Sequence, residues 1–176
     1  MGSSTATPRA FHGHVESTAV LKLTGPIRFV AAQAIRHFVD DLPSADPDDG
    51  VLIDLRAVDV IDSTGMGVLA RIGRTSLERR GRRAVIVCPQ NDVATTLRSA
   101  SFDEVFVMLE TCPYDDEDAE LAEVPLVVRP ASSPELDLGR VVLDAHRELV
   151  GVSERNMDAY RDVIVALEAE LLRPRR

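Results

Sequence analysis

Val60-Ile61-Asp62-Ser63-Thr64-Gly65-Met66-Gly67-Val68-Leu69 is the stretch whose reading decides the fold. An apolar run ends at Ile61, an acid and a hydroxyl follow, and a helical pattern then opens, with Val68, Leu69, Ile72 and Leu77 on it until Gly81. A strand that hands over directly to a helix is the building step of an α/β unit. Ser63 stands at the handover, where a serine oxygen can satisfy a free backbone N–H; as an N-cap it contributes about 0.5–2 kcal/mol relative to alanine. Gly65 and Gly67 in the first turn speak against capping alone, since each costs a helix roughly 1 kcal/mol relative to alanine. They are expected to leave backbone open to an approaching group. A phosphoryl group on Ser63 would face the N–H groups and positive dipole end of the helix, so the fold can carry its charge of about −1.5 to −2.

Working towards the N-terminus, Val51-Leu52-Ile53 begins the buried strand, and the Pro-, Asp- and Gly-rich stretch Pro43 to Gly50 reads as a turn-forming loop. Before it, Ala31, Ala34, Ile35, Phe38, Val39 and Leu42 form an amphipathic stripe that stops at Pro43. Ala19 to Leu23 alternates apolar and polar residues and is expected to be the first strand, ending at Gly25-Pro26. Towards the C-terminus, Ala84 to Val87 is a short strand closed by Pro89, Asp92 is the expected N-cap of a helix reaching Ala100, and Val105 to Leu109 is a last strand. The alternation predicts an α/β fold: a mixed β-sheet with helices packed over it.

Beyond that unit lies Asp115-Asp116-Glu117-Asp118, followed by Glu120 and Glu123, a self-repelling run read as a linker. Ser133-Pro134-Glu135 has Ser at the N-cap and Pro at the first helical position of a helix running to Val150. Ser153 caps another helix, whose stripe is Tyr160, Val163, Ile164, Leu167 and Leu171. The expected organisation is a flexible N-terminus (1–14), the α/β domain (15–110), an acidic linker (111–132) and an α-helical hairpin (133–176). Two such helices must bury their stripes on the α/β unit, on each other or on a second chain.

The strand Val51 to Leu55, the Asp62-Ser63-Thr64-Gly65 turn, the Val68-Leu69 helix and the Ala84 to Val87 strand resemble, in order and spacing, the STAS fold of bacterial anti-sigma factor antagonists. The resemblance covers Ala19 to Glu110. It implies a non-enzymatic regulator without a cofactor, a protein-binding switch in signal transduction and transcription regulation. By the same resemblance Ser63 is the phosphate acceptor for a serine kinase that is itself the anti-sigma factor, and a metal-dependent serine phosphatase reverses the modification. Asp62, Ser63, Thr64, Gly65, Met66 and Gly67 become the partner-binding surface, with Asp62 facing the kinase. The chain departs from the pattern at Gly25-Pro26-Ile27-Arg28, where antagonists of the Gram-positive type usually carry an acid. Leu143-Asp144-Ala145-His146-Arg147 and Asn156 to Leu167 are similar to the C-terminal extension of a proteobacterial branch implicated in biofilm and motility switching. That adds a flagellar-type anti-sigma factor or a cyclic-di-GMP enzyme as candidate partners. The rival with the same fold is a non-switching structural STAS subunit of a transport or scaffold complex, which needs no phosphate acceptor.

Other signals weigh less. A formal net charge of −9 disfavours general attraction to nucleic acid or anionic lipid. No segment has the apolar length of a signal peptide or a spanning helix, and the two cysteines, Cys88 and Cys112, imply no disulfide framework, so a cytoplasmic location is expected. Ile61 stands where a Gly-x-Ser-x-Gly elbow needs glycine, which counts against a serine hydrolase. His12 and His14 lack an acidic or cysteine partner for a metal, and His146 reads as a packing or surface residue rather than a phosphotransfer histidine. Arg71, Arg74, Arg79, Arg80, Arg82 and Arg83 form a basic concentration suited to an acidic partner or to the chain's own acidic segment.

Overall fold

The computed structural model describes residues 7–41, 49–115, 119–126 and 134–172. The expected loop over 43–48, the acids Asp116 to Asp118, the cap Ser133 and the start of the terminus lie outside the described residues. Six strands form one mixed sheet in the order β5-β4-β3-β2-β1-β6. They are β1 (Arg9–Val15), β2 (Thr18–Ile27), β3 (Gly50–Ile61), β4 (Ala84–Val87), β5 (Phe106–Leu109) and β6 (Glu120–Val124). Strands β2 to β5 pair in parallel, and β1 pairs antiparallel with both β2 and β6. The parallel pairs need crossovers, supplied by α1 (Phe29–Asp41), α2 (Ser63–Arg80) and α3 (Asp92–Ser99). The C-terminal helices are α4 (Pro134–Val150) and α5 (Glu154–Leu171).

Leu21, Leu23, Ile53, Leu55 and Ile86 face the helices and share a core with Ala32, Ile35, Leu69 and Phe106. The other sheet face carries a small cluster of Val20, Leu52 and Val87, over which Cys112, Tyr114 and Leu121 pack. Asp54 is fully buried on that face and answered by Arg56, whose guanidinium lies 2.8 Å from its Oδ2 and whose backbone N–H donates to its Oδ1 at 3.0 Å. Such pairing is what a buried carboxylate requires.

Several expectations are corrected here. Arg9–Val15, read from the sequence as a flexible terminus up to residue 14, and Glu120–Val124, read as part of an acidic linker, are strands. Arg9 forks onto both Glu123 oxygens at 2.8 and 2.7 Å, holding that carboxyl below its ordinary range, so a charge read as self-repelling is neutralised across the β1–β6 pair. Strand β2 does not stop at Gly25-Pro26 but runs through it. Register shifts on either side of Thr24 and Gly25 absorb the missing proline N–H, and Gly25 takes φ +71°, which favours glycine. Two helix caps sit one residue earlier than expected: Asn91, not Asp92, accepts from Ala94 N, and Asp62, not Ser63, accepts from Gly65 N. In both pairs the carboxylate or amide reaches the third N–H of the helix from the extended residue before it.

The hairpin packs on the α/β unit. Leu149 and Val152 join the main core, and Asn156 is buried, donating to Ala100 O at 2.9 Å and Leu149 O at 2.8 Å. His146 is buried between α4 and α5, its Nδ1 donating to Val142 O and its ring edge-on to Tyr160. Helix α5 buries little else: Met157, Val163 and Val165 stay exposed.

Candidate functional site

At the end of β3 the backbone turns at Asp62, which is extended (φ −98°, ψ 176°), and α2 begins with Ser63. The Asp62 carboxylate serves two helices at once. Its Oδ1 accepts from Gly65 N at 2.9 Å in the first turn of α2, and its Oδ2 accepts from Phe29 N at 3.0 Å at the start of α1. The Asp62 N–H donates to Ile27 O at 3.2 Å, tying the end of β3 to the end of β2. Two positive helix ends therefore converge on one carboxylate, and a charge placed beside it meets favourable backbone dipoles from both.

With Asp62 as the cap, Ser63 is released from that duty. It occupies the first helical position and is partly exposed, whereas Thr64 is buried at 4% exposure and Met66 at 6%. Of the six residues assigned to a partner surface, Asp62 and Ser63 keep solvent access and Thr64 to Gly67 are buried. Arg28 and Val30, exposed on either side of Phe29, extend the accessible surface around the turn.

The two glycines have packing reasons. A Cβ on Gly65 would lie 2.8 Å from Ile27 O and 2.9 Å from Ile61 Cγ1, so only glycine lets α2 start this close to the sheet. A Cβ on Gly67 would lie 2.5 Å from both Cα and Cβ of Ala145 in α4. The backbone expected to stand open is thus approached by the chain itself. Two arginines of α2 are engaged the same way, Arg74 Nη1 with Glu148 at 2.8 Å and Arg71 Nη1 with Glu148 at 3.9 Å, while Arg36 of α1 meets Asp144 at 3.1 Å. Sequence reading missed Asp144, Ala145 and Glu148 as neighbours of this turn. The available signal was their small-and-acidic pattern on one face of α4 opposite the arginines of α2.

A family model for the STAS domain matches residues 12–117. The chain belongs to the STAS-domain family. The crystal structure of an anti-sigma factor antagonist from Mycobacterium paratuberculosis aligns with a TM-score of 0.52 at 20% identity, covering 66% of this chain and 94% of that one. That likeness carries the fold. No curated protein sequence matches the chain. The STAS match takes in the β3–α2 turn and stops before β6, so α4 and α5 lie beyond the matched residues.

In this STAS domain the remaining chemistry-bearing residues are dispersed. His12 and His14 sit on β1 with ring centroids 5.6 Å apart, and no cluster of three or more metal-ligating side chains occurs among the described residues. Cys88 is buried and Cys112 half-buried, both as free thiols. Among the described residues no helix is long and apolar enough to cross a membrane.

Proposed function

We propose that the chain is an anti-sigma factor antagonist whose protein binding is governed by phosphorylation of Ser63. The observation that carries this reading is the division of labour at the turn. Asp62 does the capping for α1 and α2, and Ser63, not needed for the cap, stays partly exposed next to the carboxylate on which two helix N-termini converge. In the kinase reaction the Ser63 Oγ takes the γ-phosphoryl group of ATP, ADP leaves and the hydroxyl proton is lost. The fold tolerates the product because the added charge meets helix dipoles. The binding surface gains negative charge at its edge and the core is spared.

The binding form is the unphosphorylated one, which engages an anti-sigma factor and so releases a sigma factor. A new like charge or clash at a desolvated contact suffices to end this, since each tenfold loss of affinity needs about 1.4 kcal/mol. The kinase is the anti-sigma factor itself or an associated serine kinase, and a metal-dependent serine phosphatase resets the switch in the cytoplasm. A flagellar-type anti-sigma factor or a cyclic-di-GMP enzyme is the candidate partner for a chain with this C-terminal hairpin. The protein has no catalytic role of its own in this scheme.

The test is a binding titration of wild type, Ser63→Ala and Ser63→Asp against each purified anti-sigma factor of the native host. One of them is expected to bind Ser63→Ala like unphosphorylated wild type and Ser63→Asp at least tenfold more weakly. Equal affinity for both variants removes the switch; stable co-purification with a transport or scaffold complex regardless of Ser63 favours the structural-subunit reading instead.

A further inference from the structure

We propose that the face of α4 bearing Asp144, Ala145 and Glu148 is an internal competitor for the α1–α2 surface, a helix that imitates the partner's docking helix and must move aside before that partner binds. This rests on the reading of α2 as the docking surface.

The seam has the character of a recognition interface. Gly67 and Ala145 bring two backbones to a distance that no larger residue at 67 permits. On either side of Ala145 stand Asp144 and Glu148, four residues apart and so on one helical face, and they meet Arg36 of α1 and Arg71 and Arg74 of α2. Two arginines of that basic concentration, Arg71 and Arg74, are thereby answered by this chain's own Glu148. A displacing partner must offer the same chemistry: a helix with a small residue against Gly67 and carboxylates at i, i+4 spacing for the three arginines.

The seam is also incompletely filled, unlike the elbow that follows it. A cavity of about 230 Å³ lies between α1, α2 and α4, lined among others by Arg36, Thr64, Val68, Arg71, Val141 and Asp144. The ion pairs beside it join partly exposed side chains. At the elbow, by contrast, Leu149 and Val152 are in the core, Asn156 holds two backbone carbonyls, and Ser153 donates to Glu104 at 2.7 Å. The elbow is the anchored end, and the stretch of α4 before it, which lies over Gly67 and the arginines of α1 and α2, is the releasable one. Helix α5, whose described contacts run chiefly to α4, travels with it.

The experiment uses the full-length chain with Asp144→Arg and Glu148→Arg combined, which alters α4 and leaves α1 and α2 intact. The first readout is amide hydrogen exchange without any partner. Amides from 138 to 147 are expected to exchange at least tenfold faster than in wild type, with those of β3 and β4 unchanged. The second is affinity for the anti-sigma factor that binds Ser63→Ala, expected to tighten about tenfold. The reciprocal variant Arg36→Glu with Arg74→Glu is expected to open α4 equally and to bind that partner more weakly, an asymmetry that mere loosening would not produce. Exchange in α4 that rises only together with β3 and β4 overturns the proposal, because α4 is then an inseparable part of the core. An opened α4 with unchanged or weaker affinity overturns it as well. If no anti-sigma factor binds wild type or Ser63→Ala, the functional reading fails and takes the competitor role with it, an outcome told apart from the first by a normal separate opening of α4.

Discussion

Replacing Asp62 by alanine is expected to cost far more than replacing its neighbour Ser63. Asp62→Ala strips the acceptor from Gly65 N and from Phe29 N, the first-turn donors of two different helices. Losing an N-cap costs about 1 kcal/mol in the usual case and up to about 2. Removing a carboxylate from a helix N-terminus adds about 0.3–1 kcal/mol where the charge was favourably placed. With two helices affected and some overlap between these effects, the loss is about 2–4 kcal/mol. For a urea slope of about 2–3 kcal/mol/M, the unfolding midpoint falls by about 1 M. Asp62→Asn retains one acceptor oxygen and turns an amide N–H towards the other donor, so it should fall between alanine and wild type. Ser63→Ala, at a position that does not cap, should stay within about 0.5 kcal/mol of wild type. Equilibrium urea unfolding followed by far-UV circular dichroism measures all four proteins side by side. A Ser63→Ala loss as large as that of Asp62→Ala, or an Asp62→Ala midpoint unchanged from wild type, would refute the shared-cap argument.

Other substitutions test the packing around the site. Gly73→Ala places a Cβ 2.4 Å from the Phe106 ring, which is buried and stacked on Phe102, and should destabilise by about 1–3 kcal/mol; Phe106→Leu in the same chain should recover part of the loss in a double-mutant cycle. Asn156→Ala takes the amide donor from the Ala100 carbonyl and from the Leu149 carbonyl, which keeps only the Val152 N–H, and should cost about 1–3 kcal/mol, read from the thermal midpoint, whereas an unchanged midpoint would mean that the elbow is not anchored there. Burial, and after it the charge of Asp54, pushes the Tyr114 phenol up, so the folded state favours the protonated form. Stability from this source is complete below the unfolded value of about 10 and falls as pH rises beyond it; Tyr114→Phe should flatten that alkaline decline, and an equally steep decline in the variant would count against the buried contact.

Apolar periodicity made much of the fold legible, because it reports which side of an element is buried. The α2 stripe, the short β4 run and the two C-terminal helices were all visible in this way. What escaped were features set by pairing at a distance. Strand β1 is Arg-Ala-Phe-His-Gly-His-Val, with no apolar alternation strong enough to announce it; it is a strand because β2 and β6 flank it. The charge of Glu123 looked repulsive until Arg9, far away in sequence, was placed beside it.

At the candidate site the turn itself was legible, and the roles within it only in part. A strand followed by Asp-Ser-Thr-Gly fixes where the helix begins, yet either of two adjacent oxygens could cap it, and only the backbone geometry shows that Asp62 does so. Gly67 signals a close approach without naming what approaches. That Ala145 fills the role depends on how α4 lies across α2, which no local pattern specifies.

The most direct test of the switch is intact mass and peptide mapping of the protein purified from its native host, with a phosphatase-treated control. A single phosphoryl group on Ser63, absent from buried Thr64 and removed by the phosphatase, is the result this account predicts. An unmodified Ser63 across all growth conditions would contradict it.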